Sequence, residues 1–405
     1  MSNLREIGDS LRRMGENARI LVLTEAFWGI PMAWVGFYSS LYMKSLGLSE
    51  VEIGWISGIY SITQALLPIL GGYFSDKWGR KRTFMIFDSI AWLGSTFVWM
   101  IALDIRYALL ATLINGLTNI SMLPWKCLMV EGTPPELRAV AYSIVQLWWL
   151  IGSLTAPLAG FMIGLYGVDM GCRLLYGIAF FLMTIMFVLR QMYLRESEIG
   201  EKLMEEGASL ADYLEVMKKV FSQRELSLLM LISVMGTLNY TIWSTFFTLF
   251  LVDSRALCLD ASSISIIPSV SSLAQLIFML MFMQTLTKTN IKNILSLTYL
   301  SSAVALMFLL IIPPGQLYLV ALVSIGNALA SMFRWPLMEA ITANVIDRID
   351  PMARARILAL FSIVAALFSI PGGPLGGYMY YADPRLPFIM LALFNCLSAF
   401  LTRFI

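Results

Sequence analysis

The sequence predicts an all-α membrane protein, with twelve transmembrane helices arranged as two pseudo-symmetric bundles of six. Three observations lead to this fold class: an apolar composition, twelve long apolar runs, and a repeat between the two halves of the chain. Of the 405 residues, 59% are hydrophobic and 13% are charged, and the mean hydropathy is +0.77. Soluble domains carry roughly 25% charged residues, so this composition is typical of a membrane protein.

Twelve apolar runs are long enough to cross a bilayer, because a transmembrane helix needs about 20 mostly apolar residues. Backbone polar groups in lipid must be satisfied within the protein, and the alternating pattern of membrane β-strands is absent, so we expect helices. The twelve predicted spans, numbered in chain order, are residues 18–43, 50–74, 83–103, 106–130, 139–164, 172–194, 225–252, 263–286, 293–312, 316–345, 356–381 and 386–404.

The distribution of Lys and Arg predicts the orientation of these spans. With an even number of spans, both termini lie on one side of the membrane. The termini and the loops after even-numbered spans hold 21 of the 28 basic residues, and the opposite loops hold five. The other two, Lys126 and Arg334, lie within spans. Because Lys and Arg are enriched on the cytoplasmic side, we predict a multi-pass protein of the cytoplasmic membrane with both termini in the cytoplasm.

The two halves of the chain share short segments at corresponding places. After span 4 the sequence reads EGTPPELRA at 131–139, and after span 10 it reads DRIDPMARA at 347–355. Likewise PLAG at 157–160 in span 5 aligns with PLGG at 374–377 in span 11. Internal repeats of this kind are typical of secondary transporters, which bind their substrate at the interface of the repeats.

The repeat predicts three parts of the chain. They are an N-terminal six-helix bundle (1–194), a cytoplasmic linker (195–224) and a C-terminal six-helix bundle (225–405). Within the linker, apolar residues recur at helical spacing, which predicts an amphipathic helix on the membrane surface.

Composition and motifs argue against other function classes. The chain has no His and four scattered Cys, so neither a metal site nor a disulfide framework is indicated. It lacks a P-loop, a GxSxG nucleophile motif and an HExxH zinc motif, so we predict no enzyme activity and no cofactor. The net charge of +2, without a basic tail, predicts no nucleic-acid partner.

The loop between spans 2 and 3 carries a dense charged motif within GGYFSDKWGRKRTF, residues 71–84. The positions that match the pattern G-x-x-x-D-x-x-G-R-[KR] are Gly72, Asp76, Gly79, Arg80 and Lys81. With this motif in this loop, and with six spans repeated twice, the chain resembles the major facilitator superfamily. The resemblance implies that family's fold and alternating access, in which two bundles rock about a central site.

The resemblance also implies a gating role for this loop. Asp76 would act as an intracellular latch toward the start of span 11, and Arg80 offers a planar fork for the carboxylate of Glu131 at the end of span 4. The remaining gating candidates come from the repeated segments after spans 4 and 10: Arg138, Asp347 and Arg354. The corresponding loop of the second half, residues 284–293, has neither the aspartate nor the glycine, so the predicted latch is one-sided.

Two other signatures of the family are incomplete in this chain. A span 5 pattern of drug/proton antiporters is matched at Gly152, Pro157 and Gly160 only, three of its six positions. An arginine in span 4 that the family links to proton coupling is absent, and Asn115 and Asn119 stand in that region instead.

Four ionisable residues lie within predicted spans that, by resemblance, line the central cavity. They are Glu25 in span 1, Lys126 in span 4, and Arg334 and Glu339 in span 10. Charged groups in lipid are costly and usually face a cavity or a partner. Asn239 and Tyr240 in span 7 are further candidates for substrate contacts.

Arg334 lies deepest of the four, roughly 20 Å from the interface at about 1.5 Å per residue. Our hypothesis is that Arg334 binds an anionic group of the substrate, while Glu25 or Glu339 carries a proton. The alternative is internal charge balance, such as a pair between Glu25 and Lys126.

The sequence therefore predicts a monomeric, ion-coupled secondary transporter of a small molecule, with an organic anion or zwitterion as the favoured substrate. Its expected partners are the substrate, protons and membrane lipid. The alternative is a multidrug exporter of the drug/proton antiporter type, which the 26 Met residues would suit because Met adapts to varied shapes. No motif identifies the substrate or the direction of flux.

Overall fold

The protein is described by a computed structural model. The described residues are 9–131, 133–196, 223–282, 291–332, 334, 337–338, 341–342, 345 and 354–404. Regular structure within these ranges is helical, and they contain no strand. The prediction of an all-α protein is therefore confirmed for the part of the chain that the structure describes.

Helices coincide with each predicted span of the first half. Several spans are broken into two or three helical pieces, and spans 5 and 6 share one long helical run. The segments are Glu16–Thr24 and Ala26–Ser45 (span 1), Glu50–Trp78 (span 2), Arg80–Ser89, Ile90–Gly94 and Ser95–Met100 (span 3), Ile105–Gly116 and Thr118–Val130 (span 4), Pro135–Leu154 (span 5), and Ala156–Tyr193 (the end of span 5 and all of span 6).

The second half shows the same agreement between predicted spans and helices. Here spans 8, 11 and 12 contain more than one helical piece. The segments are Arg224–Val252 (span 7), Ser263–Ser265 and Ile266–Phe282 (span 8), Ile291–Ile311 (span 9), Leu317–Met332 (span 10), Arg354–Ser369 and Gly372–Ala382 (span 11), and Leu386–Leu401 and Thr402–Phe404 (span 12).

Six helical stretches are long and apolar enough to cross a membrane. They are Glu16–Ser45, Arg80–Met100, Val140–Tyr193, Arg224–Val252, Lys292–Ile311 and Leu386–Phe404. The count of twelve spans and their grouping into two bundles of six stay predictions. The amphipathic helix predicted for the linker lies outside the described residues.

Two local features interrupt regular α-helix. Residues Ile90–Gly94 of span 3 form a π-helical turn, which is one residue wider than an α-turn. Gly167 has φ +74° and ψ 171°, so the chain reverses there between spans 5 and 6 without a separate loop. Only glycine adopts such a positive φ at little cost, which explains the residue at this turn.

The contacts within the chain group it into two compact units. The first comprises residues 1–38, 66–155 and 165–208. Its core is built from spans 1, 3, 4 and 5, with Leu21, Phe84, Leu128 and Ala141 each at most 1% exposed.

The second unit comprises residues 39–65, 156–164 and 209–405. Its core joins spans 7, 9 and 10, with Leu226, Leu229, Leu295, Tyr299 and Val345 at most 2% exposed. The start of span 2 also belongs to this unit.

Spans 2 and 11 approach each other closely in the second unit because glycines face one another. A Cβ atom on Gly373 would lie 2.8 Å from the backbone nitrogen of Gly58, and one on Gly377 would lie 2.7 Å from the carbonyl oxygen of Glu50. Both neighbours are backbone atoms, which cannot rotate away as a side chain can.

We therefore expect Gly373→Ala to destabilise the protein by about 1–3 kcal/mol, the usual cost of overpacking. The matched control is Gly326→Ala within span 10, where a Cβ would meet nothing within 4 Å and alanine favours the helix. Thermal unfolding of both purified variants tests this expectation. Equal melting temperatures for the two variants would contradict it.

Candidate functional site

A buried cluster of three charged side chains lies within the first unit. The Arg190 guanidinium in span 6 is 2% exposed, and its Nη2 donates to Glu25 Oε2 in span 1 at 2.5 Å. Its Nη1 lies 3.9 Å from Asp88 Oδ2 in span 3, and its Nε donates to Thr24 Oγ1 at 2.9 Å. Three helices therefore converge on one guanidinium.

Span 4 supplies hydroxyl groups to the same cluster. Asp88 Oδ1 accepts hydrogen bonds from Ser121 Oγ at 2.7 Å and from Thr118 Oγ1 at 3.2 Å. Glu25 and Asp88 are 7% and 6% exposed, so neither carboxylate is well solvated. With all three groups ionised, one positive charge faces two negative charges. Buried charge without compensation is costly, so this cluster favours the uptake of one cation.

The local backbone helps to place these groups. Glu25 lies at the break between the two helices of span 1, where its N–H still bonds to the Leu21 carbonyl. Trp148 of span 5 donates its indole N–H to the Val22 carbonyl at 2.9 Å, which ties the same turn to the core. Arg190 lies within the last turn of the helix that ends at Tyr193.

The sequence suggested Lys126 as a partner for Glu25, and this pairing is wrong. Lys126 is exposed, and Arg190 pairs with Glu25 instead. Charge counting assigned Arg190 to the cytoplasmic loops because it lies near the predicted end of span 6. Its position one turn inside the apolar run, on a helix with acidic residues in neighbouring spans, is the signal that could have revealed it.

Arg334 of span 10 lies within the second unit, against span 9. Its Nη2 donates to Ser302 Oγ at 2.5 Å, and its guanidinium carbon lies 4.7 Å from the ring centre of Tyr299. Its Nε is buried and makes no hydrogen bond among the described residues. No carboxylate of the described part of the chain forms an ion pair with it, and Glu339 lies outside that part. A guanidinium has five N–H donors, so this group retains capacity for an anion.

The amide and phenol candidates are placed separately. Asn115 donates weakly to Ser95 Oγ at 3.4 Å, and Asn119 donates to the Gly116 carbonyl at 2.9 Å. In span 7, Asn239 donates weakly to the Leu391 carbonyl at 3.4 Å, whereas Tyr240 is 71% exposed. The structure thus brings Glu25, but none of these four, into the charged cluster.

The loop between spans 2 and 3 is fastened by two interactions within the first unit. Arg80 forms an ion pair with Glu131, the partner that the sequence predicts, and both side chains are largely buried. Glu196, after span 6, accepts hydrogen bonds from the backbone N–H groups of Arg80 at 2.8 Å and Lys81 at 2.9 Å. Glu196 therefore satisfies free N–H groups at the start of span 3, which sequence reasoning missed.

Gly79 makes this arrangement possible. Its φ is +83°, and a Cβ atom would lie 2.6 Å from Glu196 Oε2. Both the backbone conformation and the close carboxylate thus require glycine. Gly72 is less constrained, since the nearest atom to its Cβ position is Leu123 Cδ2 at 3.8 Å.

The rest of the predicted gating set is only partly visible. Arg138 is exposed, and its Nε donates to the Thr133 carbonyl at 3.2 Å. Asp347 lies outside the described residues, as do the side chains of Asp76 and Arg354. The predicted latch of Asp76 therefore stays a prediction.

A second charged network lies in the second unit, where the loop after span 7 meets the start of span 2. Arg255 Nη2 lies 3.2 Å from Glu50 Oε1 and 2.8 Å from Asp253 Oδ2. Lys44 Nζ lies 3.0 Å from Glu50 Oε1, and Tyr380 of span 11 donates its hydroxyl to Asp253 Oδ2 at 3.2 Å. This network joins spans 2, 7 and 11.

The network should weaken in acid. Burial raises the pKa of Asp253, but hydrogen bonds from Arg255 outweigh it and hold the pKa below its ordinary value. The stabilisation is therefore present above the ordinary aspartate pKa of about 3.9 and is lost as the pH falls through the lower folded-state value. We expect Asp253→Asn to lower the melting temperature at pH 7, and the difference from wild type to shrink below about pH 4.

The matched control for this pH dependence is Asp104→Asn. Asp104 makes the same local contact with Arg106, but that arginine side chain is 83% exposed. A control that loses as much stability as Asp253→Asn would show that the contacts to spans 2 and 11 contribute nothing.

Apolar helices that enclose ion pairs and isolated cations define a membrane protein that handles polar or charged solutes. The chain belongs to the Major Facilitator Superfamily, whose family model matches residues 21–347, well over half of its length. The resemblance found in the sequence is thereby confirmed.

Three characterised relatives are similar to parts of the chain. Plastidic glucose transporter 4 of Arabidopsis thaliana is 30% identical over 34% of this chain and 25% of that protein. The niacin transporter NiaP of Acinetobacter baylyi is 26% identical over 34% and 33%, respectively. The 3-(3-hydroxyphenyl)propionate transporter of Escherichia coli is 26% identical over 43% of each. The chain thus aligns with less than half the length of each relative.

Solved structures support the fold over nearly the whole chain. The nucleoside transporter NupG matches with a TM-score of 0.76, at 18% identity over 96% of this chain and 99% of NupG. The xylose transporter XylE from E. coli matches with a TM-score of 0.64, at 16% identity over 95% and 94%, respectively. At such identities the likeness shows the fold alone. Membership of a transporter family agrees with the predicted transport role.

Proposed function

We propose that the protein is a proton-coupled secondary transporter that moves a small organic anion across the cytoplasmic membrane by alternating access. Both termini would lie in the cytoplasm, and the chain would work as a monomer built from bundles at 1–194 and 225–405. The family membership supports transport, and the two charged sites described above support the substrate class and the coupling.

Arg334 is the observation that carries the substrate class. It is a permanently charged group in a predicted span, and it has no carboxylate partner among the described residues. Desolvated cations are stabilised by an opposite charge with good hydrogen-bond geometry. A substrate carboxylate would supply both, because it can accept two parallel hydrogen bonds from a guanidinium.

Two of the three relatives are named for substrates of this chemistry. Niacin and 3-(3-hydroxyphenyl)propionate are both aromatic carboxylic acids. The third is named for glucose, which is neutral. None of the three is named as a multidrug exporter, so the comparisons give that alternative no support.

The cluster of Glu25, Asp88 and Arg190 supports proton coupling. Two carboxylates share one guanidinium in a nearly dry site, so the cluster becomes neutral when it takes up one proton. The titratable groups that face one another there are these three, and span 4 adds only the hydroxyls of Ser121 and Thr118. The proton would be held on a carboxylate of this cluster, where the sequence proposed Glu25 or Glu339.

For gating we retain the proposal made from the sequence. The pair of Arg80 and Glu131 holds the loop between spans 2 and 3 in place, and Asp76 would engage the start of span 11. The repeat partners Arg138, Asp347 and Arg354 would complete the gating set.

The test is transport by the purified protein in liposomes. We expect nicotinate and 3-phenylpropionate to accumulate when an inward proton gradient is imposed, and nicotinamide, the neutral amide of nicotinate, to be excluded. Accumulation of glucose with exclusion of both acids would overturn the anion assignment. Equal accumulation of acids with and without the gradient would overturn the coupling while leaving the anion assignment intact.

A further inference from the structure

A cavity opens where span 9 begins and span 12 ends, within the second unit. Its volume is about 540 Å³, and its polar lining consists of Lys292, Asn293, Ser296, Thr402 and Arg403. Both basic side chains are exposed, and no carboxylate of the described residues lines the cavity. The cavity therefore presents two positive charges at one end of a helix pair.

The two helices are antiparallel, so the start of one meets the end of the other. Ser296 donates its hydroxyl to the Ala399 carbonyl across the helix pair at 2.9 Å, and Thr402 donates to the same carbonyl at 2.8 Å. These hydroxyls are thus engaged within the protein. The groups that can donate to a ligand are the side chains of Lys292, Asn293 and Arg403, along with free N–H groups in the first turn of span 9.

Apolar side chains continue from this cavity along both helices. On span 9, Leu297 is 64% exposed and Leu300 is 48% exposed, and both also line the cavity. On span 12, Leu397 is 45% exposed and Phe400 is 55% exposed. A ligand that fits this surface has an anionic head and apolar chains that run parallel to the helices.

We propose that this cavity, the span 9/12 groove, binds the headgroup of an anionic phospholipid from the cytoplasmic leaflet. The charge distribution predicts that this end of both spans faces the cytoplasm, where basic residues attract anionic lipids. Lys292 and Arg403 bind the phosphodiester, Asn293 donates to a phosphate or headgroup oxygen, and the exposed leucines contact the acyl chains. A free phosphate shares the headgroup chemistry but makes no use of the apolar surface.

The proposal reaches beyond substrate transport, and its test does not require transport. Phosphatidylglycerol and phosphatidylcholine would be titrated separately into the purified full-length protein in detergent, and bound lipid counted by native mass spectrometry. The double variant Lys292→Gln with Arg403→Gln would be compared with Arg12→Gln with Arg224→Gln. The control variant also loses two exposed basic residues from the predicted cytoplasmic side.

We expect the Lys292/Arg403 variant to bind phosphatidylglycerol about 30-fold more weakly than wild type, as for two basic residues near an anionic lipid. The control variant should bind as wild type does, and phosphatidylcholine should bind weakly to all three. Equal losses in the two variants, or none in either, would overturn the proposal. So would full displacement of the lipid by glycerol 3-phosphate or inorganic phosphate at matched concentration, because the acyl chains would then contribute nothing.

Since both substituted residues are exposed, we expect the variant to fold. As a measurement on the unaltered protein, phosphatidylglycerol binding to wild type should weaken as salt increases, because ions screen charges near the surface. Salt-independent binding would also overturn the assignment.

Discussion

Arg190→Gln is expected to destabilise the protein by about 3–5 kcal/mol, the cost of breaking a buried ion pair from one side. The substitution leaves the carboxylates of Glu25 and Asp88 in a nearly dry site without the guanidinium that they share. Chemical unfolding of the purified variant in detergent measures the loss. At acidic pH the loss should shrink, because protonation removes the uncompensated negative charge.

Two further variants show whether charge is the cause. The matched control is Arg106→Gln, whose side chain is exposed and pairs only locally with Asp104, so we expect no measurable change. The compensating variant adds Glu25→Gln and Asp88→Asn to Arg190→Gln, and it should recover most of the stability because no unpaired charge remains. If the triple variant is no more stable than Arg190→Gln alone, packing rather than charge explains the loss.

Arg334→Gln is expected to weaken nicotinate binding at least 30-fold, which corresponds to about 2 kcal/mol for the loss of a desolvated charge partner. Arg334→Lys should retain part of the affinity, because it keeps the charge but not the planar fork. The measurement is the rise in melting temperature with nicotinate concentration, since a ligand that binds only the folded state stabilises it.

The control for Arg334 is Arg385→Gln, an exposed arginine before span 12. It should leave nicotinate binding unchanged, and the response of all variants to nicotinamide should be absent. Wild-type affinity in Arg334→Gln would show that Arg334 only packs against Tyr299 and Ser302, and the substrate assignment would then fail.

Much of the fold could be predicted because the membrane imposes strong local rules. A run of about 20 apolar residues can only be a helix in lipid, and the described helices coincide with all twelve predicted runs. The pairing of Arg80 with Glu131 could also be predicted, because both residues stand at span ends on the same predicted side. Such inferences need only position along the chain.

The buried cluster could not be predicted in the same way. Whether Arg190 points into the unit or toward the cytoplasm depends on the rotation of span 6 about its axis, and hydropathy does not determine that rotation. The same holds for Glu196, whose role as a cap for span 3 depends on a contact between residues 115 and 116 positions apart. Charge counting treated both residues as topology signals and therefore missed their contacts.

The π-helical turn at Ile90–Gly94 has a consequence for the register of span 3. A π-turn contains one residue more than an α-turn would, so it rotates everything after it by about 100° relative to an uninterrupted helix. Asp88 precedes this turn and reaches the Arg190 cluster, while Ser95 follows it and lies within reach of Asn115. Span 3 thus carries two faces in different phases, and shortening the turn by one residue would leave only one of these two contacts in place.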